Sequence, residues 1–373
     1  MIKEYTALGL MSGTSGDGVD ASIVKSDGSD NYKVILNKYF KYSLDISNGI
    51  YELKEKINNK KDLTTLNLEL NSIEEKITLF HAESSKNLLQ DNNVDVVGFH
   101  GQTIYHNPKE KISFQLGNGN LLSQLSKKKI VFNFRKNDIE NGGEGAPLTP
   151  IFHKYLVISK KIELPVCILN IGGISNLTLI HSFKNHEILS QDVGPGNCLI
   201  NSWIQSHTKE KFDKGGKVSN RGKINELILE QSLETHEHNF KKKDNISLDT
   251  NDFDISFARG LNLEDGAATL TAFSAKIITS KINFLLKDNE KKNVKIIICG
   301  GGRKNISLIK QIKLNSKRNL SFYNSEDYGL NGDFIESQAF GYIAIRSILS
   351  LPISFPLTTG CSAPCTGGVL VKI

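Results

Sequence analysis

The stretch 9-GLMSGTSGDGVDASIV-24 sets two carboxylates, Asp17 and Asp20, in a run of Gly, Ser and Thr between two apolar segments. Residues 5–11 (YTALGLM) read as a buried strand. Residues 19–26 (VDASIVKS) alternate with a period of two, so the loop joins strand to strand. A Walker loop instead joins strand to helix and ends in GK[ST]. A Gly/Ser/Thr hairpin can still aim backbone N–H groups and hydroxyls at phosphate oxygens. Gly13, Gly16 and Gly18 permit close approach and positive φ, and Thr14 and Ser15 add hydroxyl donors. Phosphate would repel both acids directly. They make sense if Mg2+ or its waters lie between, because that ion takes a few carboxylates plus substrate phosphates. The plain alternative is a surface hairpin with Asp17-Gly18 as its turn.

The same architecture recurs about 160 residues later in 166-VCILNIGGISNLTLI-180, with Gly172-Gly173 as the hairpin. Two related α/β domains are therefore expected. A third strand follows the first hairpin at 32–44, and residues 50–90 carry Leu and Ile at helical spacing. Residues 94–108 read as a buried strand ending in a polar Gly loop, 129–156 as strand, Gly-rich loop and helix, and 191-QDVGPGNCLIN-201 as a loop. In 294-VKIIICGGGRKN-305 a strand runs into a triple glycine and a helix, and 364–373 looks like a closing strand. No low-complexity linker marks a boundary. The expected division is 1–130 plus 346–373 for the first domain and 131–345 for the second.

The chain has 373 residues and a formal net charge of +6, with Lys runs at 109–111, 127–129, 241–243 and 287–292 that mostly have acids nearby. Such dispersed charge reads as solvated surface and argues against a nucleic-acid partner. The five cysteines match no disulfide framework, and Cys361 and Cys365 are spaced CxxxC rather than CxxC. His236 and His238 form an HxH with no third ligand nearby, which disfavours metal binding. The N-terminal residues show no basic segment followed by a long apolar one, and no uncharged apolar stretch reaches about 18 residues. A cytoplasmic protein without a membrane partner is expected.

Four glycine loops, each near the end of a strand, fit a nucleotide site lined by backbone: the first hairpin, Gly172-Gly173, Gly194 and Gly196-Asn197 after Asp192, and Gly300-Gly301-Gly302. Four independent tight turns are the alternative. His100, Gln102 and Thr103 stand at the C-terminal end of a buried strand, where α/β sheets present ligand-binding groups, and each can hydrogen-bond a sugar hydroxyl. Arg135 and Asp138 follow a strand in the same way.

The blocks MSGTSGDGVDA, GFHGQTIYHNP, FQLGNGNLLS, NFRKNDIENGGEGAPLTP, LNIGGISNLT, DVGPGNCLIN, CGGGRKN and GDFIESQAFGYIAIR occur in this order over nearly the whole chain. Together they resemble the anhydro-N-acetylmuramic acid kinase family. The resemblance implies a two-domain actin-like ATPase (ribonuclease H-like) α/β fold with ATP and substrate in an interdomain cleft, and ATP and Mg2+ as cofactors. It implies that Ser12 to Gly18 and Asp20 serve the Mg·ATP side, with Asp17 and Asp20 toward the metal. Gly172, Gly173, Gly194, Gly196, Asn197, Gly300 to Gly302 and Asn305 would line the nucleotide. It also implies a reaction: ATP and water open the 1,6-anhydro ring of N-acetylmuramate, and O6 is phosphorylated.

By family match Asp192 is the base that deprotonates the water, and Glu336 is a sugar-contacting acid. An ordinary carboxylate is a weak base, but an oxocarbenium-like transition state asks for only a modest one. Without the match, Glu336 reads as an acid favoured by a helix N-terminus.

Three positions depart from the family pattern: Val193 stands where Thr is usual, Gly16 where a larger apolar residue is usual, and Glu144 where Gln is usual. Losing the Thr is expected to remove a hydroxyl beside the base, and Gly16 to loosen the first loop. Glu144 is expected to need a cation such as Arg135 or Lys136. Two other readings stand beside the first: an actin-fold kinase or phosphatase acting on a different sugar or small acceptor, and a non-catalytic sensor, which would break the acids this chain keeps. The sequence leaves open whether the protein works as a monomer or a homodimer.

Overall fold

A computed structural model describes residues 3–240, 247–289 and 292–372. The Lys241–Lys243 run, Lys291 and the final residue of the closing segment lie outside the described residues. The chain falls into two compact units, one of Met1–Ile162, Phe183–Ile188 and Asp333–Ile373, the other of Glu163–Ser182 and Leu189–Gly332.

In unit 1 the strands β1 (Tyr5–Ser12), β2 (Gly18–Ser26) and β3 (Tyr32–Lys41) form an antiparallel meander, and β4 (Val96–Asn107) and β6 (Lys129–Phe132) add in parallel on the other side of β1. The strand β5 (Ile112–Leu116) makes a hairpin with the end of β4, and β12 (Val369–Val371) closes the edge beside β6. In unit 2, β7 (Val166–Ile171), β8 (Ile174–Ile180) and β9 (Leu189–Pro195) repeat the meander, and β10 (Val294–Cys299) and β11 (Leu320–Asn324) repeat the parallel pair. The core of each sheet, β1 to β4 with β6 in unit 1 and β7 to β11 in unit 2, therefore has the same order, third-second-first-fourth-fifth, with only its second strand reversed. That order, present twice, is the duplicated ribonuclease H-like arrangement.

The expected boundary near 130 moves to 162. β6 is hydrogen-bonded to β4, so the chain at 132 is still inside the first sheet. The next long helix, Pro150–Ser159, sets Phe152 against Tyr32 with ring centroids 5.2 Å apart, within unit 1. The return comes at Asp333 rather than 346, because the helix Ile335–Ile348 packs on β1, β2 and β4.

That helix lies unusually close to its sheet. A Cβ at Gly9 would run into the Ser337 carbonyl and the Gly341 N–H, and one at Gly98 into the Phe340 carbonyl. The helix Leu44–Lys56 shows the ordinary alternative. Ser43 caps it by accepting from the Ile46 N–H, and Ile46, Ile50 and Leu53, spaced by four and three, are buried. In unit 2 the helix Leu263–Leu285, capped by Asn262, runs through the core, and Gly266 lets it meet the Trp203 indole.

Candidate active site

In unit 1 the candidate residues collect at the C-terminal ends of the parallel strands β1, β4 and β6, the edge where α/β sheets bind ligands. The first hairpin spans 13–17. Gly16 has φ +62°, closes the turn by donating to the Gly13 carbonyl (3.1 Å) and sits over Ile50, whose Cγ2 is 2.9 Å from where a Cβ would be. Ile50 occupies the space that a larger residue would take at this position.

Loop carbonyls are claimed from several directions. Lys54 Nζ donates to the Thr14 carbonyl (2.6 Å), Tyr39 OH to the Asp17 carbonyl (3.0 Å), the Tyr42 N–H also to Asp17 (3.0 Å), and Gln102 Nε2 to the Gly13 carbonyl (3.0 Å). Among the described residues the exposed Thr14 and Ser15 donate their backbone N–H groups to nothing. A loop whose carbonyls are taken and whose N–H groups face out suits an anion. The Ser15 hydroxyl donates to Asp17, which is exposed, and Asp20 lies half-buried in β2 opposite Met11 and Tyr39. One or two carboxylates beside substrate phosphates suit Mg2+. Among the described residues, the sole group of three or more metal-type side chains lies elsewhere.

Two expected ligand residues turn inward. Gln102 is fully buried and accepts from Ser12 Oγ (2.6 Å), which also takes a hydrogen bond from Tyr42 OH (3.1 Å). Ser12 and Gln102 thus tie the hairpin to β4. His100 through Thr103 do not form a loop. β4 continues through Gly101 (φ +74°) into its hairpin with β5, because that glycine takes the backbone conformation the bend requires. Thr103 remains half-exposed and is touched by Gln115 Nε2 (3.4 Å).

His100 is buried. Its Nδ1 pairs with the Gly101 carbonyl (2.8 Å), and its Nε2 accepts from Arg135 Nη2 (2.8 Å). Burial, then the Arg135 charge, lowers its pKa to about 3, so it is a neutral acceptor that orients the guanidinium. Arg135 Nη1 donates to the Gly145 carbonyl (2.7 Å). Asp138, 1% exposed, faces inward, accepting from Thr359 Oγ1 (2.6 Å) and the Gly145 N–H (2.7 Å).

Glu336 occupies the first turn of the helix Ile335–Ile348. Ser337 meets Ser22 (2.7 Å), whereas Arg346 donates to the carbonyl of Gly28, beyond the far end of β2 (2.6 Å). The helix therefore points its N-terminus, and Glu336, toward the hairpin end of the sheet.

Unit 2 presents a second such edge. Asp192 is in β9, not in a loop: the Gly and Pro that suggested a loop sit at the end of an edge strand, where Pro is tolerated. Its Oδ2 accepts from the Leu248 N–H (2.7 Å). Val193 is the extra residue of a β-bulge, since Asp192 pairs with Asn176 and Gly194 with Ser175; its side chain is 2% exposed in the core of unit 2, where a Thr would bury its hydroxyl. Gly196 and Asn197 donate backbone N–H groups to the Gly173 and Gly172 carbonyls (2.8 and 2.9 Å), stitching the second hairpin to the β9 end.

Gly300 (φ +77°) lies against Asn170 and Ile171, Gly302 packs on Ile171, and Gly301 faces open space. Arg303 holds this turn through Glu326 (2.6 Å) and the Gly300 carbonyl (2.9 Å). Asn305 caps the helix Ile306–Asn315 by accepting from the Leu308 N–H (3.1 Å). Of the remaining sequence candidates, His236 lies in the helix Glu226–Phe240 and stacks on Phe253 with centroids 5.8 Å apart. Sequence reading had no signal for Lys54, Tyr39, Tyr42 or the Leu248 N–H, which act through contacts distant along the chain.

Two ribonuclease H-like sheets with glycine turns at their C-terminal edges define the actin-like ATPase class. A family model described as anhydro-N-acetylmuramic acid kinase matches residues 5–372. The chain is 53% identical over 374 residues to the anhydro-N-acetylmuramic acid kinase of Pelagibacter ubique, covering 100% of both chains. It is 35% identical over 384 residues to that of Agrobacterium fabrum, covering 98% of each. A glucokinase of the ROK family from Streptomyces griseus, solved with glucose and AMPPNP, shares 10% identity at a TM-score of 0.42 over 91% of this chain and 99% of its own, too distant to bear on the site. The chain belongs to the anhydro-N-acetylmuramic acid kinase family and is an ATP-dependent kinase.

Proposed function

We propose that the protein uses Mg·ATP and water to open the 1,6-anhydro ring of N-acetylmuramate and phosphorylate O6, giving N-acetylmuramate 6-phosphate for the recycling of peptidoglycan sugars. Asp192 takes a proton from the attacking water. The water oxygen bonds to C1, the C1–O6 bond breaks, O6 bonds to the γ-phosphorus and ADP leaves. The proton passes through Asp192 to solvent. Because O6 departs onto phosphorus, no separate acid is needed. The observation that carries this reading is the placement of Asp192 on a strand, at a sheet edge, with one carboxylate oxygen fixed by the Leu248 N–H.

Local geometry supports the remaining roles in this reading. The N–H groups of Thr14 and Ser15 and the Thr14 hydroxyl receive phosphate, and Asp17 and Asp20 hold Mg2+. That ion, when bound, neutralises phosphate charge during transfer. Ser12 and Gln102 act by holding the loop rather than by touching a ligand. Thr103, Glu336 and the Arg135 guanidinium, oriented by neutral His100, contact the sugar. Asp138 positions Arg135 through Gly145. The glycine turns at 172–173, 194–197 and 300–302 receive the nucleotide, and Asn305 keeps the last of them in place. The reading is of a cytoplasmic enzyme, since ATP is the co-substrate and none of the five cysteines is in a disulfide. No helix of the described residues is long and apolar enough to cross a membrane.

The test is a product assay. Purified protein with 1,6-anhydro-N-acetylmuramate, ATP and Mg2+ gives ADP and a 6-phosphorylated sugar by phosphorus NMR, and EDTA abolishes both. ATP consumption without a sugar phosphate would move the reading to a different acceptor.

A further inference from the structure

We propose that Asp138, Cys361 and Cys365 form a binding site for a soft divalent cation, with zinc the best fit. One oxygen and two sulfurs converge so that these atoms all lie within 4.8 Å of one another, and all three residues are buried. Asp138 belongs to the helix Lys136–Glu140, and the cysteines flank the turn 361-CSAPC-365 far along the chain.

The supporting backbone is fixed. The Cys365 N–H donates to the Ser354 carbonyl (3.0 Å), and the Cys365 carbonyl accepts from the Ile353 N–H (2.7 Å). Thr359, two residues before Cys361, donates to Asp138. The Cys365 thiol itself donates to the Ala363 carbonyl (3.0 Å).

Charge is the second observation. The hydrogen-bond partners of Asp138 are a hydroxyl and a backbone N–H, both neutral, and among the described residues no cationic side chain pairs with it. A buried carboxylate without an opposite charge is costly. A bound cation would supply that charge and displace the thiol protons, one proton released per sulfur that ligates.

The donor set chooses the ion. Thiolates select zinc over magnesium or calcium. Zinc bonds to sulfur at about 2.3 Å and to carboxylate oxygen at about 2.0–2.2 Å, so tetrahedral donors stand roughly 3.5–3.8 Å apart. Side-chain rotation has about 1 Å to close. Water completes the fourth position. The ion would brace the turn that presents the Gly145 carbonyl to Arg135, a structural role separate from the Mg2+ of phosphoryl transfer.

The experiment uses the whole chain, reduced, incubated with Zn2+ and freed of unbound metal by gel filtration. The wild type is expected to retain about one zinc per chain, and a Cys361→Ser/Cys365→Ser double variant almost none. Cobalt in place of zinc is expected to give a thiolate-to-cobalt charge-transfer band in the wild type alone. The zinc content and the cobalt band of the wild type read the site even if the double variant does not fold. No stoichiometric zinc and no cobalt band in the wild type would overturn the proposal, as would a double variant that retains as much zinc.

Discussion

The two units build the same meander, yet their hairpins are held in different ways. In unit 1 the loop of residues 13–17 has its carbonyls occupied by Lys54, Tyr39, Tyr42 and Gln102, and it exposes N–H groups, hydroxyls and a carboxylate. In unit 2 the hairpin at Gly172-Gly173 spends its carbonyls on the N–H groups of Gly196, Asn197 and Cys198. The first hairpin is held mainly by side chains from elsewhere in its unit. The second is held by the backbone of the next turn, which braces the end of the strand that carries Asp192. One topology can thus fix its turn with side chains or with backbone.

The largest effect expected from this comparison is on the second edge. Asp192→Asn should lower kcat by about 10²–10⁴-fold, the range for a general base, with a smaller change in KM. Steady-state kinetics on a variant with wild-type circular dichroism would check it. A loss under tenfold would mean that β9 positions something other than the base.

Acidification should separate the units next. His81, His100, His106 and His153 all lie in unit 1, and burial lowers their pKa values to about 4, 3, 3 and 3, with the Arg135 charge adding to the effect at His100 and His106. Folded, each stays neutral, while the unfolded chain binds protons from about pH 6.5 downward. Stability is therefore full above about pH 6.5. It falls as the pH drops toward 3, by up to about 1.4 kcal/mol per pH unit for each histidine. Hydrogen exchange at pH 7 and pH 5 should show unit 1 losing protection first, and equal loss in both units would contradict the account.

The glycine turn after β10 offers a sharper contrast. Gly300→Ala puts a Cβ at φ +77° against Asn170 and Ile171 and should cost about 1–3 kcal/mol, while Gly301→Ala meets nothing and should be close to neutral. Thermal denaturation of the pair would decide it. The smallest catalytic effect is expected at Val193. Val193→Thr buries a hydroxyl in the core of unit 2, costing about 1–3 kcal/mol of stability, yet should leave kcat nearly unchanged because the side chain lies in that core.

Much of the fold was legible in the sequence. Both hairpins announced themselves through apolar alternation around small residues, and the helix at 335–348 through its pattern. The edge strand β9 did not, because QDVGPG carries turn residues and only pairing with β8 makes it a strand. The unit boundary was hidden for a similar reason: β6 and the helix Pro150–Ser159 look like the start of something new, and only their pairing partners assign them to unit 1. At the site, residue types were readable but directions were not. Gln102, Asp138 and Asn305 have the chemistry of ligand-binding residues, yet each satisfies the backbone or side chains of its own unit.

The most direct test of the central claim, that Asp192 activates water against C1, is the position of solvent oxygen in the product. A turnover in ¹⁸O-labelled water, read by mass spectrometry before mutarotation exchanges the anomeric oxygen, should put one ¹⁸O on C1 of the sugar phosphate and none on the phosphoryl group. Label on phosphorus, or an unlabelled sugar phosphate, would contradict it.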